Sequence, residues 1–497
     1  MAEQRVKRVV VAGGGTAGWV AATALVRHLG PLLDITLVES EEIGTVGVGE
    51  STVPTMVTFH RFLGIDEQAF MRAAQATFKL GIEFRNWGLD GDRYIHAFGT
   101  IGKRASWMAD FHHFWLEARE RGFGGELGDY CIELVAGEAN KFFIGKDGPL
   151  NYAYHLDAFR YVRFLRGLAE PAGVKRVEGK IREVAQNAES GDVEAIVLET
   201  GERIEGDLFL DCTGFRALLI EQALQTGFED WGKWISTNTA VAVQSTAAGP
   251  PIPYTSAIAH KAGWQWRIPL QKRVGCGLVF CNDFMSDDEA RAKLLADIPG
   301  KPVVDPWLLR FRTGTRRKAW NRNVVALGLA GGFIEPLEST SIHLMQIAVT
   351  RLIQDFPFNG CNAALIDRFN EKSRREFEGI RDFIILHYHQ NERDDSPFWI
   401  SRREMDIPDS LKGRMELFRE NALAYQTSDD LFKIDSWVQV LRGQRMEPRG
   451  YHQLARMMSD PELRTALGDM RSNIASAVAK LPSHPDFLAQ YCPATIE

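Results

Sequence analysis

Long hydrophobic runs are missing from this chain. No apolar stretch is long enough to span a bilayer, so a helical membrane protein is not expected and a cytoplasmic location is the default. Paired cysteines are missing too: Cys131, Cys212, Cys276, Cys281, Cys361 and Cys492 are scattered, with no Cys-x-x-Cys spacing and no histidine cluster beside them. That argues against a zinc site or a disulfide scaffold, and it predicts reduced thiols and no bound metal. Nor is there an excess of positive charge. With 58 basic and 65 acidic residues the formal net charge is -7, which gives a phosphate backbone nothing to attract and makes nucleic acid an improbable partner. Internal repeats and low-complexity tracts are absent as well.

What remains is the composition of an ordinary globular enzyme, 45% hydrophobic and 25% charged over 497 residues, long enough for two substructures. Residues 6–12 read as a buried strand, 17–29 as a helix and 33–39 as a second strand, a βαβ unit that crosses over right-handed into a parallel sheet. Residues 44–49 are a glycine-rich loop. Helical patterns follow over 52–72 and 154–168, and strand-like alternation over 177–210. The segment 209–211 runs into a Cys-Thr-Gly turn, and 324–328 repeats that arrangement before a further glycine turn.

Dinucleotide-type elements therefore recur at separated places. They predict a discontinuous FAD-binding module from 1–230 and 320–360, with a substrate-binding module from 231–319 and 361–497 packed on it in a single body. Within the second module, residues 240–280 read as a β-rich insertion able to roof a substrate cavity, and the chain from residue 342 onward reads as largely helical. The fold class is α/β: a Rossmann-type parallel sheet of the flavin monooxygenase kind, with that insertion and a helical C-terminal part.

The most informative short segment is Gly13-Gly14-Gly15-Thr16-Ala17-Gly18. Gly13 would permit a tight turn, Gly15 would let the backbone approach a pyrophosphate, and Gly18 would let helix and strand pack closely. The phosphates would sit at the helix start, by Thr16 and Ala17, where free N–H groups favour anions. Glu39, ending the next strand, stands where ribose hydroxyls would be bound. The bland alternative is a structural turn with an exposed glutamate. The later turns at Asp211-Cys212-Thr213-Gly214 and at Gly328 to Gly332 favour FAD over a nicotinamide dinucleotide.

Five segments in one order give the chain a resemblance to the flavin-dependent halogenases of the tryptophan halogenase family: Gly13 to Gly18, Gly47-Val48-Gly49-Glu50-Ser51-Thr52, Lys79, Trp264-Gln265-Trp266-Arg267-Ile268-Pro269, and Glu335-Pro336-Leu337-Glu338-Ser339-Thr340. The tryptophan hexapeptide is the most specific of them. The resemblance implies that reduced FAD, oxygen and a halide yield hypohalous acid, which travels through a tunnel to an electron-rich, indole-like ring. Gly49, Glu50, Ser51, Gly328 and Gly331 join the first turn as cofactor-binding positions. Trp264 and Trp266, on one face of a strand, form a barrier beside the flavin.

By the same resemblance Lys79 and Glu338 are the catalytic pair. Lys79 activates hypohalous acid either through an ammonium hydrogen bond or as a haloamine, and burial would favour the second route by lowering its pKa. Glu338 stabilises the cationic ring and takes its proton; Glu335 is its competitor. Backbone amides of Thr340 and Ser341 hold the halide, although the family commonly has glycine where Ser341 stands. Ile82, His96 and Phe98 match positions that sandwich the ring.

Residues 425–444 lack a match to the segment that grips the amino-acid backbone in tryptophan-specific members, which disfavours free tryptophan as the substrate. There is no second complete dinucleotide fingerprint, so a separate flavin reductase is the expected partner of a monomer or homodimer. Two other readings stay open: an aromatic hydroxylase, against which Leu329 stands in place of a Gly-Asp aspartate, and a flavin-binding redox carrier that would need neither Lys79 nor Glu338.

Overall fold

Val9, Val10, Val11 and Ala12 are all buried, the pattern of a strand covered on both faces. In the computed structural model, which describes residues 5–43, 49–103, 108–145 and 150–494, Arg8–Ala12 lies inside a six-stranded sheet. The order is Trp320–Asn321, Val324–Ala326, Leu208–Asp211, Arg8–Ala12, Asp34–Glu39, Lys175–Glu178. All neighbours are parallel except the first pair. The helix Thr16–Leu29 follows the first strand directly. It is free of Gly and Pro after Gly18, carries Arg27 and His28 in its last turn, and packs against Ala158–Ala169 and Ser341–Gln354.

A second sheet of seven strands takes the expected β-rich insertion and extends it. Trp307–Arg310, Thr239–Thr246, Arg273–Phe280, Gly263–Pro269 and Tyr254–His260 are continued by Gly81–Arg85 and Arg93–Ala97. The join is a parallel pairing of Tyr254–His260 with Gly81–Arg85, so residues from early in the chain complete a sheet made mostly of the insertion. A three-stranded sheet, Glu50–Ser51, Ala153–Leu156, Thr77–Lys79, packs against Tyr254–His260 of the seven-stranded one through Thr77–Lys79. Beyond residue 341 the described chain is helical, as expected, and its 27-residue helix Ala363–His389 runs past the seven-stranded sheet.

Two expected helices differ. The pattern over 154–168 splits: Ala153–Leu156 is a strand because it finds partners on both edges, and Asp157 then caps the helix Ala158–Ala169 by accepting from Arg160 N–H. The pattern over 52–72 breaks into Thr55–Phe62 and Glu67–Ala73, since Gly64 adopts φ +64° and Asp66 starts a new helix as its cap. Of the glycine-rich loop expected at 44–49, residues 44–48 lie outside the described residues.

Candidate active site

Each glycine of the first turn meets a different steric demand. Gly13 has φ +110°, and a Cβ there would stand 2.3 Å from the Cys212 carbonyl oxygen; a Cβ on Gly18 would stand 1.8 Å from Gly13 O. These two close the turn onto the next strand and the helix onto the turn. Around Gly15 a Cβ would meet nothing within 4 Å, so its backbone faces open space. That space is a cavity of about 1080 Å³ lined by Gly13, Gly15, Thr16, Ala17 and Glu39 at one end. Its volume is at the top of the ~300–1,000 Å³ typical of ligand sites. The residues fit a dinucleotide: a cradle without Cβ atoms, a helix N-terminus above it, and a carboxylate at the end of the next strand. Glu39 is held in place by Trp19 Nε1–H (3.1 Å) and Arg176 Nε–H (2.5 Å).

The far end of the cavity is lined by Gly49, Glu50, Ser51, Trp264, Trp266 and Ser341. Burial pushes the Glu50 carboxyl up to about 7. Trp264 and Trp266 share a face of Gly263–Pro269 with ring centroids 6.1 Å apart, and Gly277 on the neighbouring strand leaves room for the Trp266 ring. Gly328 and Gly331 do not join this lining. Gly328, at φ +61°, packs close to Ala17 Cβ, and it is Leu329 and Phe333 that face the cavity. Gly47 and Val48 lie outside the described residues.

Lys79 ends the strand Thr77–Lys79 and is fully buried. Its Nζ donates to Thr52 O and to Ser339 Oγ, each at 2.9 Å, and stands 4.9 Å from the centre of the Phe98 ring. Burial lowers its pKa to about 7, against the opposing pull of the Glu338 charge. Ser51 and Ser339 belong to the cavity wall and contact each other at 3.0 Å, so the lysine lies directly behind that wall.

Glu338 is also fully buried. His96 Nδ1 approaches its two oxygens at 2.9 and 3.1 Å, and His387 Nε2 lies 3.0 Å from Oε1. Burial would raise this carboxyl, but the two histidines overcome it and hold it at about 2. Glu335 has a different environment. It accepts from Trp264 Nε1–H (3.0 Å), Tyr388 O–H (2.7 Å) and Thr237 O–H, none of them a cation, and burial pushes it up to about 7. The two glutamates are thus separated by their partners: one is tied to the tryptophan strand and the other is set among histidines beside the lysine.

Ile82 and His96 are cross-strand partners, and the His96 and Phe98 rings meet edge-on at 6.4 Å. The stacked pair Phe383 and Phe432 closes the other side, 5.6 and 6.2 Å from His96. Residue 432 belongs to the 425–444 segment, which thus contributes a ring although it carries no family-like motif. Thr340 and Ser341 stand at the start of the helix Ser341–Gln354. The left-handed residue of this segment is Ser339, at φ +60°, and Ser341 begins the helix, so the serine takes the place of glycine without backbone strain.

Sequence reasoning did not single out His387, Phe383, His155 or Thr255. For the first two a weak signal exists: they are one turn apart on a helix, so they share a face.

A dinucleotide-sized cavity and, across the Ser51–Ser339 wall, a buried lysine and carboxylate are the arrangement that the comparisons then place in a class. The family profile for tryptophan halogenases matches residues 8–460. A tryptophan 7-halogenase from Lentzea aerocolonigenes is 37% identical over 450 residues, covering 86% of this chain and 84% of its own. Among solved structures, a flavin-dependent halogenase from Xanthomonas campestris shares 50% identity with a TM-score of 0.98, covering 99% of this chain and all of its own. Another from Brevundimonas sp. BAL3 shares 41% with a TM-score of 0.94, over 98% of this chain and all of its own. The chain belongs to the tryptophan halogenase family and is a flavin-dependent halogenase.

Proposed function

We propose that the enzyme halogenates a small, electron-rich aromatic ring of the indole kind by electrophilic substitution, using FAD reduced by a separate flavin reductase. The observation that carries this reading is the burial of Lys79 and Glu338 together, beside the His96 and Phe98 rings and behind the Ser51–Ser339 wall. Gly13, Gly15 and Gly18 would seat the dinucleotide, Glu39 its ribose, and Ser341 and Thr340 would present backbone N–H groups to a halide at their helix start. Reduced flavin, with oxygen and a halide, supplies hypohalous acid.

Each residue then has a defined task. Trp264 and Trp266 keep the ring away from the cofactor cavity. Lys79, with its pKa near about 7, serves as hydrogen-bond donor or as nucleophile toward the halogen. Ile82, His96 and Phe98 hold the ring, with stacking and edge contacts that favour aromatic over aliphatic substrates. Glu338 stabilises the positive charge on the ring and takes its proton at a carboxylate oxygen. Residues 1–230 and 320–360 would chiefly carry the cofactor and 231–319 and 361–497 the substrate, with Lys79, Ile82, His96, Phe98 and Glu338 reaching from the first part to the ring.

Indole incubated with enzyme, reductase, FAD, oxygen and bromide or chloride tests this. A mass gain of one halogen is expected. A mass gain of one oxygen would point to hydroxylation of the ring instead, and no product would reject rings of the indole kind as its substrates. NADH without a reductase should give no turnover.

A further inference from the structure

A buried row of polar groups leads away from Lys79. Lys79 Nζ meets Ser339 Oγ at 2.9 Å, Ser339 meets Ser51 at 3.0 Å, and Ser51 meets Thr255 at 2.8 Å. Thr255 meets His155 Nε2 at 2.9 Å, His155 Nδ1 meets Thr77 Oγ1 at 3.0 Å, and Thr77 meets Pro269 O at 2.6 Å. All six side chains are buried. The three-stranded sheet builds the row, because His155 is the register partner of Ser51 on one side and of Thr77 on the other.

The two ends fix the direction of every proton. Pro269 O can only accept, so Thr77 spends its hydrogen there and must receive one from His155 Nδ1–H. Burial and the nearby Lys79 and His484 all disfavour charge on His155, so the ring is neutral and its Nε2 is an acceptor. Thr255 therefore donates to His155, Ser51 to Thr255, and Ser339 to Ser51. Ser339 has no hydrogen left for Lys79 and can only accept from it. Thr52 O, the other partner of Nζ among the described residues, is likewise only an acceptor.

We infer that this polarised row, with His155 as its positioning residue, commits two positions of the Lys79 nitrogen to fixed acceptors and aims the third toward the space beside Phe98. In the ammonium that third position is an N–H; in the amine it is the lone pair. Either way it is the one presented to the reacting species. The inference rests on the proposed role of Lys79, and it adds that the nitrogen is pre-oriented as a nucleophile without needing to rotate. Among the described residues, the titratable groups facing this region are Glu338, which raises the Lys79 pKa, and His155 and His484 on the side of the three-stranded sheet.

The test uses flavin-free protein labelled with 15N-histidine and 13C-lysine, with signals assigned by His155→Gln and Lys79→Met. Wild-type His155 is expected as the neutral Nδ1–H tautomer across the neutral pH range; an Nε2–H tautomer would overturn the inference. Thr255→Val cuts the row without changing its volume. It frees the Ser51 and Ser339 hydroxyls to turn and donate to a neutral amine, so the Lys79 titration midpoint should fall by about one unit. Thr255→Ser should restore it. Thr77→Val releases the far end and should move the midpoint in the same direction. A midpoint unchanged in both valine variants would also overturn the inference, and the tautomer is read on wild-type protein whether or not the variants fold. A Lys79→Ala enzyme that still halogenates would sink the proposed role of Lys79 while leaving tautomer and titration untouched.

Discussion

His387 turns its Nδ1 to the Phe383 carbonyl at 2.8 Å and its Nε2 to Glu338 at 3.0 Å. A carbonyl only accepts, so Nδ1 carries a hydrogen. The Glu338 carboxyl beside it is held at about 2 by His96 and His387 against the opposing effect of burial, so it is a carboxylate at neutral pH.

Glu338→Gln keeps the volume but removes the base. Turnover should fall by about 10²- to 10⁴-fold, the usual contribution of a positioned base, with little change in substrate affinity. Quantifying the halogenated product under single turnover checks it. In His387→Asn the carboxyl should rise toward its ordinary 4.5, so the acid limb of the kcat profile should move to higher pH. An unmoved limb would exclude His387 as the partner that holds Glu338 ionised.

Lys79→Ala should abolish halogenation while flavin oxidation and peroxide release continue. Lys79→Arg should not rescue it, because a guanidinium keeps its charge at every accessible pH. Burial of Lys79 also has a stability signature. Its pKa falls from 10.5 to about 7 in the fold, so the unfolded chain binds more protons between those values. The penalty is fully present below about 7 and relieved as pH rises toward 10.5. The denaturation midpoint of Lys79→Met, measured relative to wild type, should therefore be most favourable at neutral pH and decline as pH rises.

Glu335 has the opposite sign. Its carboxyl is raised from 4.5 to about 7, so the folded chain binds the extra proton. The associated stability is complete below 4.5 and lost as pH rises through about 7. In Glu335→Gln this slope should vanish from a urea-denaturation series taken across that window.

The glycines of the first turn are separable by experiment. Gly18→Ala places a Cβ 1.8 Å from Gly13 O and should destabilise the fold as a whole. Gly15→Ala meets no protein atom within 4 Å and should cost under about 1 kcal/mol of stability, as for an altered helix cap. It should nevertheless weaken FAD binding about tenfold or more, read by flavin fluorescence, because the methyl enters the space where the pyrophosphate would lie.

What the sequence made legible was local. The strand, turn and helix around Gly13 to Leu29 follow from short-range demands, and the paired tryptophans on one strand face follow from a period of two. Sequence order could not show that Gly81–Arg85 joins a sheet built mainly from residues 239–310, because a parallel pairing between strands about 170 residues apart leaves no periodic trace. That His96 meets His387 at Glu338 was hidden for the same reason: His96 comes from an edge strand and His387 from a long helix, and only folding brings them together. The strand Ala153–Leu156 was masked by the helix that follows it. Its alternation is too short to compete with the apolar period of Ala158–Ala169.

Trp264 is fastened through its indole N–H to Glu335, which also anchors Tyr388 and Thr237. In the barrier role proposed for it, a tryptophan fastened to so firmly held a carboxylate would not swing aside for a bulky guest. Such a barrier would work as a sieve, passing what crosses it by size before chemistry begins. Efforts to broaden the range of rings accepted would then gain more from reshaping the chamber around Phe98 and Phe432 than from loosening the partition, whose stiffness would keep the oxidant on a single track.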